Sequence, residues 1–295
     1  MKDQQSLWMK LEKTVGLQKL IALIALIVIF GFFAISSESF RSFDTAVSIL
    51  DASYYIGFLA IGVTFVIITS GIDLSIGTVM MCSAIIGGVL HTKLGWPLWL
   101  SLLAILVIGG VFGLFNGILI AKFGLPPFIA TLGTMMISRG LSSIVSNVQS
   151  VTFPLRGTGE GWYKDLFRTK DNFPTGLIVL IIIAIIAAIV LNKTKIGRYI
   201  FAIGSNKEAT RLSGVNVIKW EAMAYVISGL FAGLAGIAYA ATYSTILPGT
   251  GNGMELDAIA GVVVGGTSLA GGVGSVLGTI IGVFIMSVLK IGLPY

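Results

Sequence analysis

Residues 94–121 read LGWPLWLSLLAILVIGGVFGLFNGILIA, with no Asp, Glu, Lys or Arg in the whole stretch. A helix needs roughly 20 predominantly apolar residues to cross the hydrocarbon core of a bilayer, and this run is longer than that. Its apolar residues are continuous, whereas the strands of a membrane barrel alternate apolar and polar residues over about 10 positions. A helix is the remaining way to satisfy a backbone in lipid, so the stretch predicts a transmembrane helix.

Similar runs fill most of the chain. Of its 295 residues 56% are hydrophobic and 11% charged, against about 25% charged in an ordinary soluble domain. The other uncharged runs are 20–37, 52–72, 74–92, 172–192, 222–254 and 258–289. The composition therefore predicts an all-α, polytopic membrane helix bundle of roughly eight to ten segments, forming one domain over 1–295.

The last two runs are longer than one span and rich in glycine, so each is expected to hold a helix and a broken or re-entrant piece. The run from residue 20 follows lysines but lacks a small-residue cleavage site, which favours a retained first helix over a signal peptide. Cys82 is the one cysteine, which excludes an internal disulfide.

The basic loop 192–220 gives the orientation. Against Glu208 alone it carries six cations, Lys193, Lys195, Arg198, Lys207, Arg211 and Lys219. The positive-inside rule places this loop and the lysine-rich residues 1–19 in the cytoplasm. Spans near 20–35, 52–69, 74–91, 97–121, 127–147 and 174–191 give six crossings between them, so both clusters return to one side. The pI near 9.4 then reflects orientation and partner docking, with no nucleic acid expected.

The polar segment 150–174 falls outside by the same count. It contains Trp162, Tyr163, Phe167 and Phe173 among mixed charges. Aromatic residues at a membrane surface commonly anchor a protein in the lipid. A contact surface for an external partner is the alternative interpretation.

Two short stretches echo each other. Residues 111–117 (VFGLFNG) resemble 276–282 (VLGTIIG), and 122–126 (KFGLP) resemble 290–294 (KIGLP). Internal repeats are a common building plan of transporters, so we expect one here, in parallel or inverted orientation. Glycine pairs four residues apart, such as Gly229 and Gly233, are expected to let helices pack closely in lipid.

A few ionisable residues interrupt the apolar runs. Asp73 and Asp257 are each expected to cap a following helix or, alternatively, to line a translocation path at a helix break. Arg139 needs water, a carboxylate or backbone carbonyls as a partner. His91, beside Lys93 and Trp96, is interpreted as an interfacial residue, and we expect no metal ligands.

Motifs of catalysis and nucleotide binding are absent from the sequence. It contains no G-x-x-x-x-G-K-[ST], no H-E-x-x-H and no paired cysteines. We therefore expect no enzyme activity and no cofactor, and any ATP-driven function requires the nucleotide site of another subunit.

Six ordered stretches carry a resemblance to a known family, the permease subunits of bacterial ABC importers for monosaccharides, especially the ribose-type permeases. They are 68–77 (ITSGIDLSIG), 127–133 (PFIATLG), 197–204 (GRYIFAIG), 209–216 (ATRLSGVN), 255–260 (ELDAIA) and 264–272 (VGGTSLAGG). The resemblance implies a multi-pass protein of the bacterial inner membrane, in contact with lipid. It also implies a permease homodimer or close-homologue heterodimer, a cytoplasmic ABC ATPase and an external sugar-binding protein.

In this family a short coupling helix fits into a groove of the ATPase. The corresponding residues here are Gly204, Ser205, Asn206, Lys207, Glu208, Ala209, Thr210, Arg211, Leu212, Ser213 and Gly214. Ser205 and Glu208 have the spacing of a capping box, which predicts a helix start at Ser205. Such a helix is expected to present Lys207 and Arg211 to the partner.

Alternating access then moves the sugar between two permease copies. An uncharged sugar suits a path lined by hydroxyl, amide and few acidic groups, and the candidates are Asp73, Ser75, Asn116, Thr131, Thr134, Asp257 and Thr267. Family members continue beyond Leu293 with a further apolar segment, so we expect a closing C-terminal helix to be missing from this sequence.

Two rival functions remain open. A branched-chain amino-acid ABC permease has similar coupling loops, but the GIDLS and TRLSG motifs favour sugar. An autonomous secondary transporter or channel needs no ATPase, but it usually buries ion-coupling acids, for which Asp73, Asp51 and Asp257 are the few candidates.

Overall fold

The computed structural model describes residues 17–169 and 173–294. Helices dominate this part of the chain, and we number them in order. They are α1 (Leu17–Ser36), α2 (Phe43–Ile68), α3 (Ile76–Thr92), α4 (Leu98–Gly117, continued by a π-helical turn, Ile118–Lys122), α5 (Pro127–Ser146), α6 (Lys164–Phe167), α7 (Thr175–Lys193), α8 (Lys195–Ser205), α9 (Lys207–Leu212), α10 (Val217–Tyr243), α11 (Met254–Val264) and α12 (Val276–Gly292).

Six of the described helices are long and apolar enough to cross a membrane, namely α1, α2, α4, α5, α7 and α10. Two further apolar helices, α3 and α12, have 17 residues each. This confirms an all-helical, polytopic bundle. Of the N-terminal lysines used for the orientation, Lys2, Lys10 and Lys13 lie outside the described residues.

Helix α2 is the centre of the bundle. Its most apolar 18-residue window is completely buried, and α10, α11, α12 and α7 pack around it. The helix begins at Phe43, well before its uncharged run, because Ser42 caps it by accepting a hydrogen bond from the Thr45 amide at 3.1 Å. The hydrophobic run alone therefore placed this helix start too late.

Glycines bring the helices into backbone contact, as predicted. A Cβ atom at Gly113 would overlap the Tyr225 carbonyl oxygen, and one at Gly229 would overlap the carbonyl oxygen of Gly109. Gly282 meets the carbonyl of Gly261 in the same way. Close approach of this kind supplies the van der Waals packing that drives helix association in lipid.

The two long glycine-rich runs each divide into several elements. The first contains α10, the two-residue strand β2 (Thr245–Ile246) and the loop before α11. The second contains most of α11, a non-helical stretch at 265–275 and α12. The two similar stretches of sequence lie in different parts of their helices, 111–117 at the end of α4 and 276–282 at the start of α12. The internal repeat and the re-entrant pieces stay predictions.

The bundle has two distinct ends. We call the end that holds residues 193–216 the basic end. At the opposite end, strand β1 (Val151–Thr152) pairs antiparallel with β2 and ties the polar segment to the end of α10. Of the four aromatic residues there, Trp162 and Phe173 are exposed, but Tyr163 and Phe167 are buried. The latter two stabilise the fold and are not lipid anchors.

The hydrogen bonds of one buried lysine fix this polar segment to the bundle. Lys164 on α6 is 1% exposed and donates hydrogen bonds to the Ala241 carbonyl at 3.2 Å and to Ser244 Oγ at 2.6 Å. It thus places a cation at the carbonyl end of α10, where the helix dipole favours one. Burial, with smaller effects of Arg168 and Arg156, lowers the pKa of Lys164 to about 8.

Candidate functional site

The segment 69–75 between α2 and α3 holds a buried carboxylate. Asp73 is 1% exposed. Its Oδ1 atom accepts hydrogen bonds from the Ser75 amide at 3.1 Å and the Ser75 hydroxyl at 2.6 Å, and Oδ2 accepts one from Ser228 Oγ at 3.0 Å. The prediction that Asp73 caps α3 is wrong, since the N-cap position is Ser75. An aspartate two residues earlier bonds the local backbone in a turn instead.

The hydrogen bonds continue from Asp73 through Ser75 to helices α4 and α5. Asn116 on α4 donates from Nδ2 to Ser75 Oγ at 2.9 Å, and Thr134 on α5 donates from Oγ1 to Asn116 Oδ1 at 2.5 Å. Each of these side chains is at most 1% exposed. We call Asp73, Ser75, Asn116, Thr134 and Ser228 the polar network; it unites four of the seven predicted path residues. Buried polar groups are costly unless paired, and here each has a partner.

The other three predicted path residues lie elsewhere. Thr131 is buried on α5, but its hydroxyl donates to the Pro127 carbonyl of its own helix at 2.9 Å. Thr267 is buried in the 265–275 stretch, and its hydroxyl has no hydrogen-bond partner among the described residues. Asp257 on α11 is partly exposed and accepts a bond from Lys290 Nζ at 2.5 Å.

The capping prediction for Asp257 is also wrong. Helix α11 has Gly253 at its N-cap, with φ of 93°, and Asp257 lies within the helix. Glu255, which sequence analysis did not select, binds the free Gly253 amide through Oε1 at 2.9 Å. Glycine is needed at that position because side-chain-bearing residues rarely adopt a positive φ.

Sequence reasoning missed several members of the polar interior. Ser138 on α5 donates to Thr78 Oγ1 on α3 at 2.8 Å, and Ser228 completes the shell of Asp73. A signal existed for Ser138, because it follows Thr134 by four positions and the two share one helix face. Ser228 is an isolated serine in an apolar helix, and no pattern marks it.

The basic loop folds into α8 and α9. Asn206, and not Ser205, caps α9, since its side chain accepts from the Ala209 amide at 2.9 Å. Ser205 ends α8 and donates to the Phe201 carbonyl at 2.9 Å, while Glu208 pairs with Arg211 at 2.8 Å. The predicted capping box is therefore wrong, because asparagine, whose backbone is extended here, supplies the cap one position later.

Lys207 and Arg211, the two predicted contact residues, are both exposed on α9. Lys207 Nζ lies 2.8 Å from the carboxylate of Glu221 on α10, so this lysine has a partner within the chain. Leu212 is 78% exposed at the end of α9, beside the exposed pair of Glu208 and Arg211. The exposed surface of α9 thus combines charged side chains with one large apolar side chain.

The basic loop touches the segment that carries Asp73. A Cβ atom at Gly204 would overlap the Ile68 carbonyl oxygen, and the Gly272 amide donates to that same carbonyl at 2.9 Å. Ser70 Oγ donates to the Ala270 carbonyl at 2.8 Å. At this point three parts of the chain meet: the end of α2, the end of α8 and the 265–275 stretch. We call it the Gly204 junction.

Two single polar residues fall where expected. Arg139 donates from Nε to the Gly249 carbonyl at 3.2 Å, which confirms a backbone carbonyl as its partner. His91 lies at the opposite end, with Nδ1 2.9 Å from the Trp96 carbonyl and Nε2 3.3 Å from Glu160. Within the described ranges, no group of three or more His, Cys, Asp or Glu residues could hold a metal ion.

The chain is similar to known permease proteins over most of its length. The family model described as branched-chain amino acid transport system / permease component matches residues 45–295. The ribose import permease protein RbsC of Escherichia coli strain K12 is 38% identical over 92% of this chain and 84% of its own length. The fructose import permease protein FruG of Bifidobacterium longum is 38% identical over 81% and 72%, respectively.

A third relative extends the range of sugars in these names. The xylose transport system permease protein XylH of Haemophilus influenzae is 31% identical over 95% of this chain and 90% of its own length. No solved structure matches the chain.

Proposed function

The chain belongs to the family of branched-chain amino acid transport system / permease components, and on this premise we propose that it is the membrane permease subunit of an ATP-driven monosaccharide importer. The single observation that carries the substrate class is the 31–38% identity, over most of the chain, to import permeases for ribose, fructose and xylose. The chain is a multi-pass protein of the bacterial inner membrane. These relatives are permeases and not enzymes, so ATP hydrolysis belongs to a separate subunit.

The orientation we propose places the basic end in the cytoplasm. The six cations of 192–220 support it, and so does the even number of helices, α1 to α5 and α7, that precede them. The 150–174 segment then faces outside, where a sugar-binding protein delivers the substrate. Trp162 and Phe173 are the exposed aromatic side chains available to that partner or to the lipid surface.

The contact with the ATPase is proposed to be α9. Its exposed side chains are Lys207, Glu208, Arg211 and Leu212, and the residues 204–214 around them reach the end of α2 at the Gly204 junction. Closure of the ATPase pair on ATP then moves α9, and this movement reaches the segment 69–75. The path is proposed to run between two permease copies, a homodimer or a heterodimer with a close homologue.

The polar network is proposed to be the part of the path wall that is closed in this conformation. Each of its side chains is hydrogen-bonded to another member of the network, so opening must exchange these bonds for bonds to water or sugar hydroxyls. Asp257 and Thr267 remain proposed wall positions on α11 and the stretch that follows it. Thr131 lies one turn from Thr134 on α5.

The test is uptake by the purified chain together with the ATPase that co-purifies with it. Ribose, fructose, xylose and leucine are offered separately, because the family description names branched-chain amino acids and the relatives name sugars. ATP-dependent uptake of a sugar, but not leucine, is expected. ATP-dependent uptake of leucine alone would contradict the sugar assignment. Purification of the chain with no ATPase bound to it would contradict its role as an importer subunit.

A further inference from the structure

One ion pair joins the basic loop to the start of a membrane helix. Lys207 is the first residue of α9, and Glu221 lies in the second turn of α10, with Nζ 2.8 Å from the carboxylate. The glutamate side chain is 8% exposed, whereas that of the lysine is 55% exposed. A carboxylate this deeply buried is costly unless a cation accompanies it, so the pair links the position of α9 to that of α10.

The same face of α10 then runs directly to the polar network. Glu221, Tyr225 and Ser228 are four and three residues apart, so they lie on one side of the helix. The Tyr225 hydroxyl reaches the Ile72 carbonyl at 3.5 Å, and a Cβ atom at Gly71 would lie 2.5 Å from that hydroxyl. Ser228 binds Asp73 at 3.0 Å. One helix face therefore contacts α9 at one end and the Asp73 segment at the other.

We propose that the Lys207–Glu221 ion pair is a positioning contact that makes α10 follow α9, so that ATPase closure shifts Ser228 and changes the bonding of Asp73. This inference rests on the proposed function and adds a second connection to the Gly204 junction. Neither residue touches the sugar. Both act through the placement of α10, which is a rigid helix of 27 residues.

A merely stabilising role would make a different prediction. If the pair only neutralises a buried carboxylate, Glu221→Gln removes the buried charge and should leave the assembled transporter coupled. If the pair transmits movement, the same variant should assemble normally but lose coupling. Arg211, Leu212 and the Gly204 junction are unchanged in it, so ATPase docking is preserved.

The experiment measures ATP hydrolysis and sugar uptake in proteoliposomes that contain the chain and its co-purifying ATPase. The probe is ribose, or whichever sugar of the ribose, fructose and xylose panel is imported, presented on its binding protein. The variants are Glu221→Gln, Lys207→Gln and the reversed pair, Lys207→Glu with Glu221→Lys. Lys219→Gln is the matched control, since it removes a cation of the same loop whose ring contact is Trp220 at 5.1 Å.

In both single variants, we expect sugar-stimulated ATP hydrolysis per assembled complex to fall at least about fivefold, the lower end of usual couplings between sites. The reversed pair should recover most of the loss, and Lys219→Gln should behave as the wild type. Should Glu221→Gln reduce the amount of complex, Lys207→Gln at matched amounts decides the question. Wild-type stimulation in that variant, or no recovery in the reversed pair, overturns the inference.

Different results would contradict the proposed function and the ion-pair inference. Absence of a co-purifying ATPase from the wild-type chain would contradict the proposed function. A coupled wild-type complex whose single variants are equally coupled would contradict the ion-pair inference alone.

Discussion

Asp73 Oδ2 accepts a hydrogen bond from Ser228 Oγ at 3.0 Å, joining the non-helical segment after α2 to the middle of α10. These residues are 155 positions apart in the chain. Both are at most 1% exposed, at a depth where most neighbouring side chains are apolar. The contact holds the acidic side chain of the polar network in place. Asp73 and Ser228 can each be changed separately.

Asp73→Asn should abolish sugar uptake while leaving the protein in the membrane. The amide keeps the shape but replaces one acceptor oxygen with an N–H donor, so either the bonds from Ser75 or the bond from Ser228 Oγ loses its acceptor and must reverse or break. Ser228→Ala removes one bond to a carboxylate and should cost about 1–3 kcal/mol of stability. Uptake assays and thermal unfolding in detergent measure the two effects. Wild-type uptake by Asp73→Asn would remove the network from the path.

Gly204→Ala should disrupt the junction of α8 with α2. Its Cβ would overlap the Ile68 carbonyl, and forcing an extra atom into packed structure typically costs about 1–3 kcal/mol. We expect a lower apparent melting temperature and reduced coupling of uptake to ATP hydrolysis. The matched control is Gly31→Ala on α1, where the new Cβ meets nothing within 4 Å and helix propensity improves by about 1 kcal/mol. Equal behaviour of the two variants would contradict a tight junction.

Leu212→Ser should weaken ATPase docking. Truncation of a hot-spot residue at an interface costs about 2 kcal/mol or more, which corresponds to more than tenfold in affinity. Co-purification of the ATPase measures this. The control is Leu155→Ser, which removes an exposed leucine at the opposite end of the bundle. If the ATPase is lost from the control and retained by Leu212→Ser, the docking surface has been assigned to the wrong end.

The stability of the protein should rise with pH between about 8 and 10.5 through Lys164. Burial lowers the pKa of this lysine from 10.5 to about 8, so in that window the unfolded state binds more protons than the folded state. The cost of the buried charge is fully present below pH 8 and disappears as the pH rises through the window. The melting temperature of the wild type minus that of Lys164→Met should therefore be constant below pH 8. It should rise above pH 8, because only the wild type gains stability there. A difference independent of pH would contradict the lowered pKa.

The sidedness of the two ends can be read by cysteine labelling, because the native Cys82 is buried. An impermeant thiol reagent added to intact spheroplasts should label Thr158→Cys in the polar segment. It should label Ser213→Cys in the basic loop only after the membrane is opened. The reverse pattern would place the ATPase contact on the wrong side.

Much of the fold was predictable from hydrophobicity, because a bilayer requires long apolar helices. The predicted spans 74–91, 127–147 and 174–191 agree with α3, α5 and α7 to within about two residues. The start of α2 was missed because it depends on a local cap at Ser42 and not on apolar content.

The sites were less predictable, because their contacts join distant parts of the chain. The expectation of hydroxyl, amide and few acidic groups along a sugar path selected Asp73, Ser75, Asn116 and Thr134, which share one network. It could not select Ser228, nor show that Lys207 is held by Glu221 14 positions away. Such pairs arise from the way α10 packs against its neighbours, and a single sequence does not record that packing.

We propose that this permease takes its energy from a separate ATPase docked on the basic loop. The most direct measurement is sugar uptake into proteoliposomes that hold the purified chain, with and without the ATPase and ATP, in the presence of the sugar-loaded binding protein. We expect concentrative uptake only when both ATPase and ATP are present. We also expect loss of uptake in Leu212→Ser. Uptake against a gradient by the chain alone would contradict it.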